Sequence, residues 1–355
     1  MVIMAKKYVG HYDNTKLINS LDADGERPAF YIVCSRERGP GKSFSFSKLL
    51  FEHFLDNGEK FILLTRRKKD LGSVAEGMFE GYFQIEHPEY NLREVLQMGH
   101  TFSNIYADTT IGEEKSSAHC GWVIPIASCD DIKKVSSLFM EATAFYFDEF
   151  QPMDDRYLRE EVDLVRTIYK SVARGDGKAV RYMPIYMASN TITLQNPYFK
   201  ALGLSNKIQS NTKFYRGEGV VFENCEVEGL KEMHSSSPID KALKKHLDIK
   251  RDNTWLNDDN SLVAKPKGWG RPRYIATIIY GSESFGVLEY PDVLYISRTV
   301  DTSCEYVYNL TFDNGNLNIA LIDSSSLMEF VTRQYYLGKV RVQDGGIQRI
   351  LQEVL

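Results

Sequence analysis

Cysteine is scarce in this chain and is not clustered. The five cysteines among 355 residues form no Cys-x-x-Cys pair and no metal-ligand spacing; they stand at positions 34, 120, 129, 225 and 304. The missing spacings argue against a zinc module and against a thioredoxin-like redox motif. Because disulfides persist mainly in oxidising compartments, an odd number of scattered cysteines favours a reducing compartment.

Long apolar runs are also missing. A helix that crosses a bilayer needs about 20 consecutive apolar residues, and no run in this sequence approaches that length. The apolar part of residues 1–7 is shorter than a secretory signal requires. We therefore expect neither a membrane span nor a secretory signal.

Positive charge is not in excess either. The 43 Lys and Arg residues stand against 48 Asp and Glu residues, for a formal net charge of −5. A sequence-independent nucleic-acid binder usually carries a basic excess, so any nucleic-acid contact must be local or shared among subunits. No internal repeat or low-complexity tract is visible.

The most informative segment is a Gly-Pro-Gly-Lys-Ser motif at residues 39–43. It follows an apolar run at residues 30–34 and precedes a helix predicted at residues 44–57. A glycine-rich turn between a strand and a helix cradles nucleotide phosphates with its main-chain N–H groups, while Lys42 reaches the phosphates and the Ser43 hydroxyl binds Mg²⁺. The nucleotide-binding residues predicted from this motif are Gly39, Gly41, Lys42, Ser43 and Phe44.

Two adjacent carboxylates end a later apolar run. Residues 144–147 are Ala-Phe-Tyr-Phe, and Asp148 and Glu149 follow directly. Side chains at the end of a strand are free to face one site. Asp148 is predicted to hold Mg²⁺ and Glu149 to polarise the attacking water, because phosphoryl transfer depends on positioning and charge neutralisation. Downstream of a Gly-Lys-Ser loop this pair predicts an ATPase, although the full loop consensus has glycine where Arg36 stands.

A third apolar run, residues 182–188, ends in Ser189 and Asn190. In P-loop ATPases whose catalytic glutamate follows the metal-binding aspartate, the strand between the P-loop strand and the carboxylate strand carries a polar sensor of the γ-phosphate. Asn190 is the candidate for this role. Because serine and asparagine also favour turns, a simple cap of the strand is the alternative.

Strand-like and helical patterns alternate through residues 1–205. The strands predicted there are at residues 30–34, 61–65, 121–126, 145–148 and 185–189. This alternation predicts an α/β domain with a mainly parallel sheet and a site at the carboxyl ends of its strands. The pattern weakens over residues 206–250, which we interpret as a linker or lid. Residues 251–355 are rich in β-branched and aromatic runs joined by turns, and this predicts a separate β-rich domain.

Basic residues gather at three further places. Arg66 and Arg67 follow the second predicted strand; they are candidates for contact with nucleic-acid phosphates, for approach to the nucleotide, or for an ordinary solvated helix start. Lys133 and Lys134 precede the carboxylate strand and are candidates for nucleic-acid contact.

The third basic place surrounds Trp269, which is flanked by Lys265, Lys267, Arg271 and Arg273. Cations bind phosphates and an exposed indole ring stacks on bases, so this segment is a candidate nucleic-acid contact. A flexible connector that happens to be basic is the alternative.

In combination, these motifs resemble viral genome-packaging ATPases, which are terminase-like P-loop enzymes of the ASCE type. The resemblance rests on the P-loop, on the strand followed by Arg66 and Arg67, on the Phe-Asp-Glu-Phe run at residues 147–150 and on residues 189–199. It is clearest over residues 25–205, and it is nearest to the small DNA-packaging ATPases of short-tailed Picovirinae-type phages.

The resemblance implies a homomeric ring, with a pentamer expected, that docks on the portal of a procapsid and uses ATP to drive double-stranded DNA inward. It implies action in the host cytoplasm, absence from the mature virion, and a packaging RNA as a further candidate partner. In such motors an arginine of the adjacent subunit neutralises transition-state charge. Arg174 is our candidate, with Arg166 as the alternative, and Lys133 and Lys134 are further candidates for a role in the site of a neighbouring subunit. Arg38 matches the arginine that these enzymes commonly carry in the P-loop.

Large terminases carry an RNase H-like nuclease as their second domain, so the resemblance predicts that fold for residues 251–355. A two-metal nuclease gathers carboxylates around its metals, and the first of them belongs on the first strand. The strand predicted at residues 274–280 contains no Asp or Glu, and Asp301, Glu305 and Asp313 do not replace it. We predict a vestigial nuclease domain without nuclease activity.

Two other functions are alternatives. One is a different P-loop nucleic-acid ATPase, such as a helicase or a DNA-transfer ATPase; two-lobed helicases repeat their core, and nothing after residue 205 repeats the pattern. The other is a scaffold that binds ATP without turnover. Glu149 argues against a scaffold, because a pure binder has no use for a carboxylate that polarises water.

Overall fold

The computed structural model describes residues 11–36, 39–112, 114–153, 156–174, 180–205, 207–209, 211–227, 242, 262–281, 283–310, 320–321 and 326–354. The chain divides into two compact units. The first comprises Met1–Leu202 with Asn211–Leu256, and the second comprises Gly203–Ser210 with Asn257–Leu355.

The first unit is an α/β structure. Its described strands are β1 (Phe30–Ser35), β2 (Lys60–Thr65), β3 (Tyr90–Gln97), β4 (Phe102–Ile111), β5 (Glu114–Pro125), β6 (Ala142–Asp148), β7 (Ile185–Asn190), β8 (Phe214–Gly217) and β9 (Val220–Asn224). Its described helices are α1 (Thr15–Ile18), α2 (Lys42–Asn57), α3 (Val74–Glu86), α4 (Cys129–Lys134), α5 (Glu161–Val172) and α6 (Pro197–Ala201).

These strands form one mixed sheet in the order β3-β4-β5-β2-β6-β7-β1-β9-β8. Its centre, from β5 to β9 in that order, is parallel, whereas β3, β4 and β8 are antiparallel to their neighbours. The predicted α/β fold is thus confirmed. Strand β7 lies between β1 and β6, so the carboxyl ends of these three strands meet at one edge of the sheet, where ligands bind in open α/β folds.

Helices cover both faces of this sheet. Phe145 on β6 packs against Tyr169 of α5 with ring centroids 5.8 Å apart. The next residue, Tyr146, packs against Phe46 of α2 at 5.1 Å. Because successive side chains of a strand point to opposite faces, α2 and α5 lie on opposite sides of β6. Such two-sided burial explains why β1 and β6 appear in the sequence as continuous apolar runs.

The linker predicted for residues 206–250 is partly wrong. Strand β9 pairs in parallel with β1, and β8 pairs with β9, so residues 211–227 belong to the first unit. Val220, Val221 and Phe222 are fully buried, and this burial rather than local propensity holds the strand in the sheet. Residues 207–209 belong to the second unit. The remainder of the predicted linker, apart from residue 242, lies outside the described residues.

The second unit is built on a six-stranded sheet in the order β14-β13-β10-β11-β12-β15. Its described elements are β10 (Arg273–Tyr280), β11 (Glu283–Glu289), β12 (Leu294–Ser297), β13 (Val307–Asn309), β14 (Ala320–Leu321), α7 (Ser326–Tyr336), β15 (Val340–Val342) and α8 (Gly345–Val354). Strands β10, β11 and β12 form an antiparallel meander, while β13 is parallel to β10 and β14 to β13. Ile278, Val287 and Ile296 lie at the centre of its core.

All five cysteines are free thiols, and Cys304 is the one that is not buried. Burial raises the pKa of Cys34, Cys120 and Cys225 to about 12. Across the described residues, no helix combines the length and apolar character that a bilayer crossing demands.

Candidate nucleotide-binding site

The turn between β1 and α2 depends on glycine. Gly39 and Gly41 adopt left-handed φ angles of +72° and +91°, which residues with a Cβ rarely adopt. A Cβ on Gly41 would also lie 2.8 Å from Nδ1 of His11. Gly41 immediately precedes α2, so the turn leads straight into a helix N-terminus, where free main-chain N–H groups favour anions.

Lys42 is directed into the site and is 7% exposed. Its Nζ donates to Ser35 Oγ at the end of β1 and lies 3.4 Å from Asn190 Oδ1 at the end of β7. Desolvation lowers the pKa of Lys42, an effect that the Cys225 and Cys34 thiols and the Asp148 carboxylate oppose. The predicted phosphate-binding lysine and the predicted sensor are therefore in the same place.

Ser43 Oγ donates to Asp148 Oδ2 over 2.7 Å, and the N–H of Glu149 donates to Asp148 Oδ1 over 3.0 Å. Burial raises the pKa of Asp148, while these hydrogen bonds act in the opposite direction. A hydroxyl and a carboxylate side by side are hard oxygen ligands, which Mg²⁺ prefers. Mg²⁺ usually takes only one or two protein ligands and completes its shell with water and substrate phosphates, so this pair fits a magnesium ion.

One cavity of about 450 Å³ joins these groups. The predicted nucleotide-site residues that line it are Gly39, Gly41, Lys42, Ser43, Phe44, Asp148, Glu149 and Asn190. Glu149 is exposed and also lines a second cavity of about 690 Å³ on the side of β2. The structure therefore brings together the described members of the predicted nucleotide site, and Arg38 lies outside the described residues.

His11 is a site residue that the sequence did not reveal. Its ring stacks on Phe44 with centroids 4.7 Å apart and an interplanar angle of 12°, and it lines the same cavity. The N–H of Tyr12 donates to the carbonyl of Pro40 over 2.6 Å, which fastens this segment to the loop. No motif surrounds His11, so the sequence carries no signal for this contact.

Arg66, a candidate for contact with nucleic acid, for approach to the nucleotide or for a solvated helix start, makes its described contacts within the fold. Its side chain is only 13% exposed and forms an ion pair with Glu161. Its Nη1 donates to the carbonyl of Glu149 over 2.8 Å, and its Nη2 donates to the carbonyl of Phe150. The guanidinium is therefore committed to the loop that follows β6.

The neighbouring basic candidates remain at the surface. Arg67 is exposed and lines the second cavity. Lys133 and Lys134 pair with Asp130 and Asp131 of their own helix, each at 3.0 Å. Exposed pairs of this kind contribute little free energy, so they do not prevent these lysines from binding another partner.

The tryptophan of the basic segment is not the exposed stacking ring that the sequence predicted. Trp269 is partly buried and packs edge-to-face on Tyr290 and Tyr295, each at 5.5 Å. The flanking cations Lys265, Lys267 and Arg271 are exposed. Arg273, although exposed, is paired with Glu289.

Arg174 lies at the edge of the sheet opposite to the nucleotide-binding residues. The neighbouring Ala173 accepts a hydrogen bond from the N–H of Arg181 over 2.7 Å, and Arg181 Nη1 donates to the carbonyl of Ala142 over 3.2 Å. Ala142 begins β6 and Asp148 ends it, so about 20 Å of strand separates the two edges. Arg174 is thus exposed and remote from the cavity of its own subunit. Arg166 is exposed on α5, 3.9 Å from Asp163.

Known proteins are similar to this chain in sequence and in fold. The DNA packaging protein of Bacillus phage phi29 is 26% identical over 298 residues, covering 80% of this chain and 80% of that protein. The DNA packaging protein of Bacillus phage B103 is 24% identical over 295 residues, covering 81% and 83%. A chain of the bacteriophage Phi-29 viral genome packaging motor assembly matches the fold with a TM-score of 0.56 and 20% identity, covering 97% of this chain and 98% of that chain.

A family model described as Podovirus DNA encapsidation protein (Gp16) matches residues 19–352. The match spans nearly the whole chain and both of its units. It confirms the resemblance to the packaging proteins of short-tailed phages that the motifs indicated. The chain therefore belongs to the Podovirus DNA encapsidation protein (Gp16) family.

Proposed function

We propose that this protein hydrolyses Mg-ATP and uses the energy to translocate double-stranded DNA into a procapsid. The observation that carries the proposal is that Lys42, Ser43, Asp148, Glu149 and Asn190 line one cavity. The relatives from phages phi29 and B103 are named DNA packaging proteins, and this supports DNA as the translocated polymer.

Each residue has a separate task in this proposal. Bound Mg²⁺ supplies charge neutralisation at the phosphates, and Ser43 and Asp148 are the side chains that would hold it. Lys42 binds the terminal phosphates and is kept in place by Ser35. Glu149 orients and polarises the attacking water, and Asn190 contacts the γ-phosphate from the end of β7. These tasks require positioning and charge and no covalent step on the protein.

Hydrolysis is proposed to take place at the interfaces of a homomeric ring. The position of Arg174 supports this arrangement, because an arginine about 20 Å of strand away from its own cavity can serve only the cavity of another subunit. In the proposal the ring is a pentamer that docks on the portal of the procapsid in the host cytoplasm. A packaging RNA is proposed as an additional component. Arg67, Lys133 and Lys134 remain the proposed DNA contacts of the first unit.

The second unit is proposed to be a vestigial RNase H-like domain that serves in docking. Three antiparallel strands followed by strands parallel to the first are consistent with that fold. Its first strand, β10, carries no carboxylate, so the proposal includes the absence of nuclease activity. The exposed Lys265, Lys267 and Arg271 are the proposed contacts to nucleic acid.

The test is the steady-state ATPase rate of the wild type and of Glu149→Gln, each with and without double-stranded DNA and procapsids. We expect DNA and procapsids to stimulate the wild type, and we expect Glu149→Gln to bind ATP without turnover. Lys42→Ala, in contrast, is expected to lose both nucleotide binding and turnover. ATP turnover that neither DNA nor procapsids stimulate would favour a different P-loop nucleic-acid ATPase. Absence of turnover under every condition would favour a scaffold that binds ATP.

A further inference from the structure

Arg66 makes three directed contacts through one largely buried guanidinium. Nη1 and Nη2 donate to the consecutive carbonyls of Glu149 and Phe150, and Nε donates to Glu161 Oε2 over 3.0 Å. The guanidinium also lies 4.9 Å from the ring centroid of Phe147. A planar fork that serves two successive carbonyls fixes the orientation of the peptide between them, in this case the peptide that follows Glu149.

The backbone of Glu149 needs such support. Its φ angle is +48°, in the left-handed region that costs a residue with a Cβ on the order of 1–3 kcal/mol and persists only when surrounding contacts enforce it. Next to it, the N–H of Phe150 donates to the carbonyl of Ala188 on β7. The turn after β6 is therefore held by Arg66 on one side and by the sensor strand on the other.

The carboxylate that receives Arg66 is fixed in turn. The Glu161 side chain has no solvent exposure. Its Oε1 accepts a hydrogen bond from the Tyr198 hydroxyl over 2.8 Å, and its Oε2 also accepts one from the N–H of Leu158 over 2.9 Å. Tyr198 lies on α6, the first helix after β7. The network connects the end of β2, the turn after β6 and the helix after β7. Of these, the turn after β6 reaches the nucleotide cavity, which Glu149 lines.

We propose that Arg66 is a positioning residue for Glu149: it holds the main chain of Glu149 in the left-handed conformation that presents the carboxylate to the nucleotide cavity. This inference rests on the proposed function, in which Glu149 polarises the attacking water. Arg66 touches neither nucleotide nor water in this role, and it acts only through the peptide of Glu149.

Lysine at this position tests the idea because it keeps the charge and loses the fork. A single ammonium cannot donate along three fixed directions to two carbonyls and a carboxylate. Glu161 stays paired in Arg66→Lys, so the variant avoids an unpaired buried carboxylate, whose cost would be several kcal/mol. Arg298→Lys is the matched control, because Arg298 also pairs with carboxylates, Asp344 and Glu283, and lies over a ring, Phe285 at 5.6 Å, in the second unit.

The experiment measures kcat of the full chain for Mg-ATP, the Kd of a fluorescent non-hydrolysable ATP analogue, and hydrogen exchange of the peptide spanning residues 148–153. For Arg66→Lys we expect kcat to fall about tenfold to a hundredfold, as for a misplaced catalytic group. We expect Kd to change by less than about threefold, because Arg66 does not contact the phosphates. Exchange at residues 148–153 should rise in Arg66→Lys and stay at the wild-type level in Arg298→Lys.

A kcat of Arg66→Lys within about twofold of the wild type would overturn the proposal, and so would a parallel weakening of Kd, because that would place Arg66 in nucleotide binding. Absence of hydrolysis by the wild type would overturn the proposed function itself. Tyr198→Phe removes only the hydroxyl that fixes Glu161, and it covers the case in which Arg66→Lys does not fold. We expect a kcat loss of about two- to fivefold with unchanged Kd, and an unchanged kcat would count against the network.

Discussion

Ser43 on α2 and Asp148 at the end of β6 are joined by a 2.7 Å hydrogen bond, although 105 residues separate them in the chain. The hydroxyl donates to the carboxylate and so keeps the two oxygens side by side. A metal ligated by both oxygens would have to displace this hydrogen bond. The two oxygens that the proposed function assigns to Mg²⁺ are thus already adjacent.

Removal of the Ser43 hydroxyl tests this assignment. We expect Ser43→Ala to weaken the Mg²⁺-dependent part of nucleotide binding at least about tenfold, the lower range seen for losses around metal sites. The measurement is the nucleotide affinity of each variant at increasing Mg²⁺ concentrations, in a buffer that contains no EDTA. Ser47→Ala is the control, because Ser47 is on the same helix and its hydroxyl donates to the carbonyl of Met78. Equal Mg²⁺ dependence in both variants would contradict the assignment.

The stacked pair of His11 and Phe44 predicts a contribution to the binding of the nucleoside. His11→Ala is expected to weaken ATP binding about three- to tenfold, the range of one aromatic contact, and to leave the affinity for inorganic triphosphate unchanged. Competition against a fluorescent nucleotide measures both affinities. His53→Ala, an exposed histidine on α2, serves as the control. A loss that is equal for ATP and for triphosphate would assign His11 to the shape of the loop rather than to the base.

Arg174 should act on the cavity of a neighbouring subunit. We expect Arg174→Ala to bind nucleotide normally and to lose about a thousandfold in turnover, the effect of a missing arginine finger. In mixtures with wild-type protein, activity should fall faster than the fraction of wild-type subunits. Arg166→Ala, at the alternative candidate on α5, is the comparison, and near wild-type activity is expected. A strictly linear response of activity to the mixing ratio would rule out the trans role.

Gly121 should be irreplaceable for a reason unrelated to catalysis. It stands opposite Phe61 in the pairing of β5 with β2, and a Cβ there would lie 2.2 Å from the Phe61 carbonyl oxygen. We expect Gly121→Ala to destabilise the fold by at least about 1–3 kcal/mol, as overpacking does. Gly77→Ala on α3, with open space around it, should instead stabilise by about 0.5–1 kcal/mol. Thermal unfolding compares the two, and equal midpoints would refute the clash.

His87 should make stability depend on pH. Desolvation acts to lower its pKa, but the hydrogen bonds with Glu52 and Glu89 outweigh this and raise the pKa of His87. A raised folded-state pKa stabilises the fold below the unfolded value of about 6.5, and the contribution is lost as pH rises through the folded value.

His87→Gln should therefore lower the unfolding midpoint more at about pH 6 than at about pH 8. The difference between the two reductions should be about 1–3 °C for one partly exposed pair. Differential scanning calorimetry at the two pH values measures this difference. His100→Gln, at an exposed turn, is the control. A gap that widens towards alkaline pH would show that the sign is wrong.

The central strands could be predicted because their burial on two faces produces continuous apolar runs, as in β1 and β6. The same criterion failed at the margins of the sheet. Strand β3 has only one buried residue, Leu92, and β9 is held by its pairing with β1 rather than by a long apolar run. The predicted linker consequently began too early in the chain.

The nucleotide site was predictable where its functional residues are adjacent in the sequence, as in the loop ending at Ser43 and in the pair Asp148 and Glu149. It was not predictable where contacts depend on distant parts of the chain. Arg66 and Glu149 are 83 residues apart, and within its own neighbourhood Arg66 is indistinguishable from the exposed cations that follow it. Trp269 was misjudged for the same reason, because Tyr290 and Tyr295 cover it from another part of the sequence.

The uneven burial of the thiols has a practical consequence. Thiol reagents attack the thiolate, and a pKa of about 12 leaves almost none of it at Cys34, Cys120 and Cys225. Cys129 is buried as well, while Cys304 is partly exposed in the second unit. A maleimide dye added to the unmodified chain is thus directed to the second unit at Cys304, which gives a fluorescent reporter on that unit without engineering a single cysteine away.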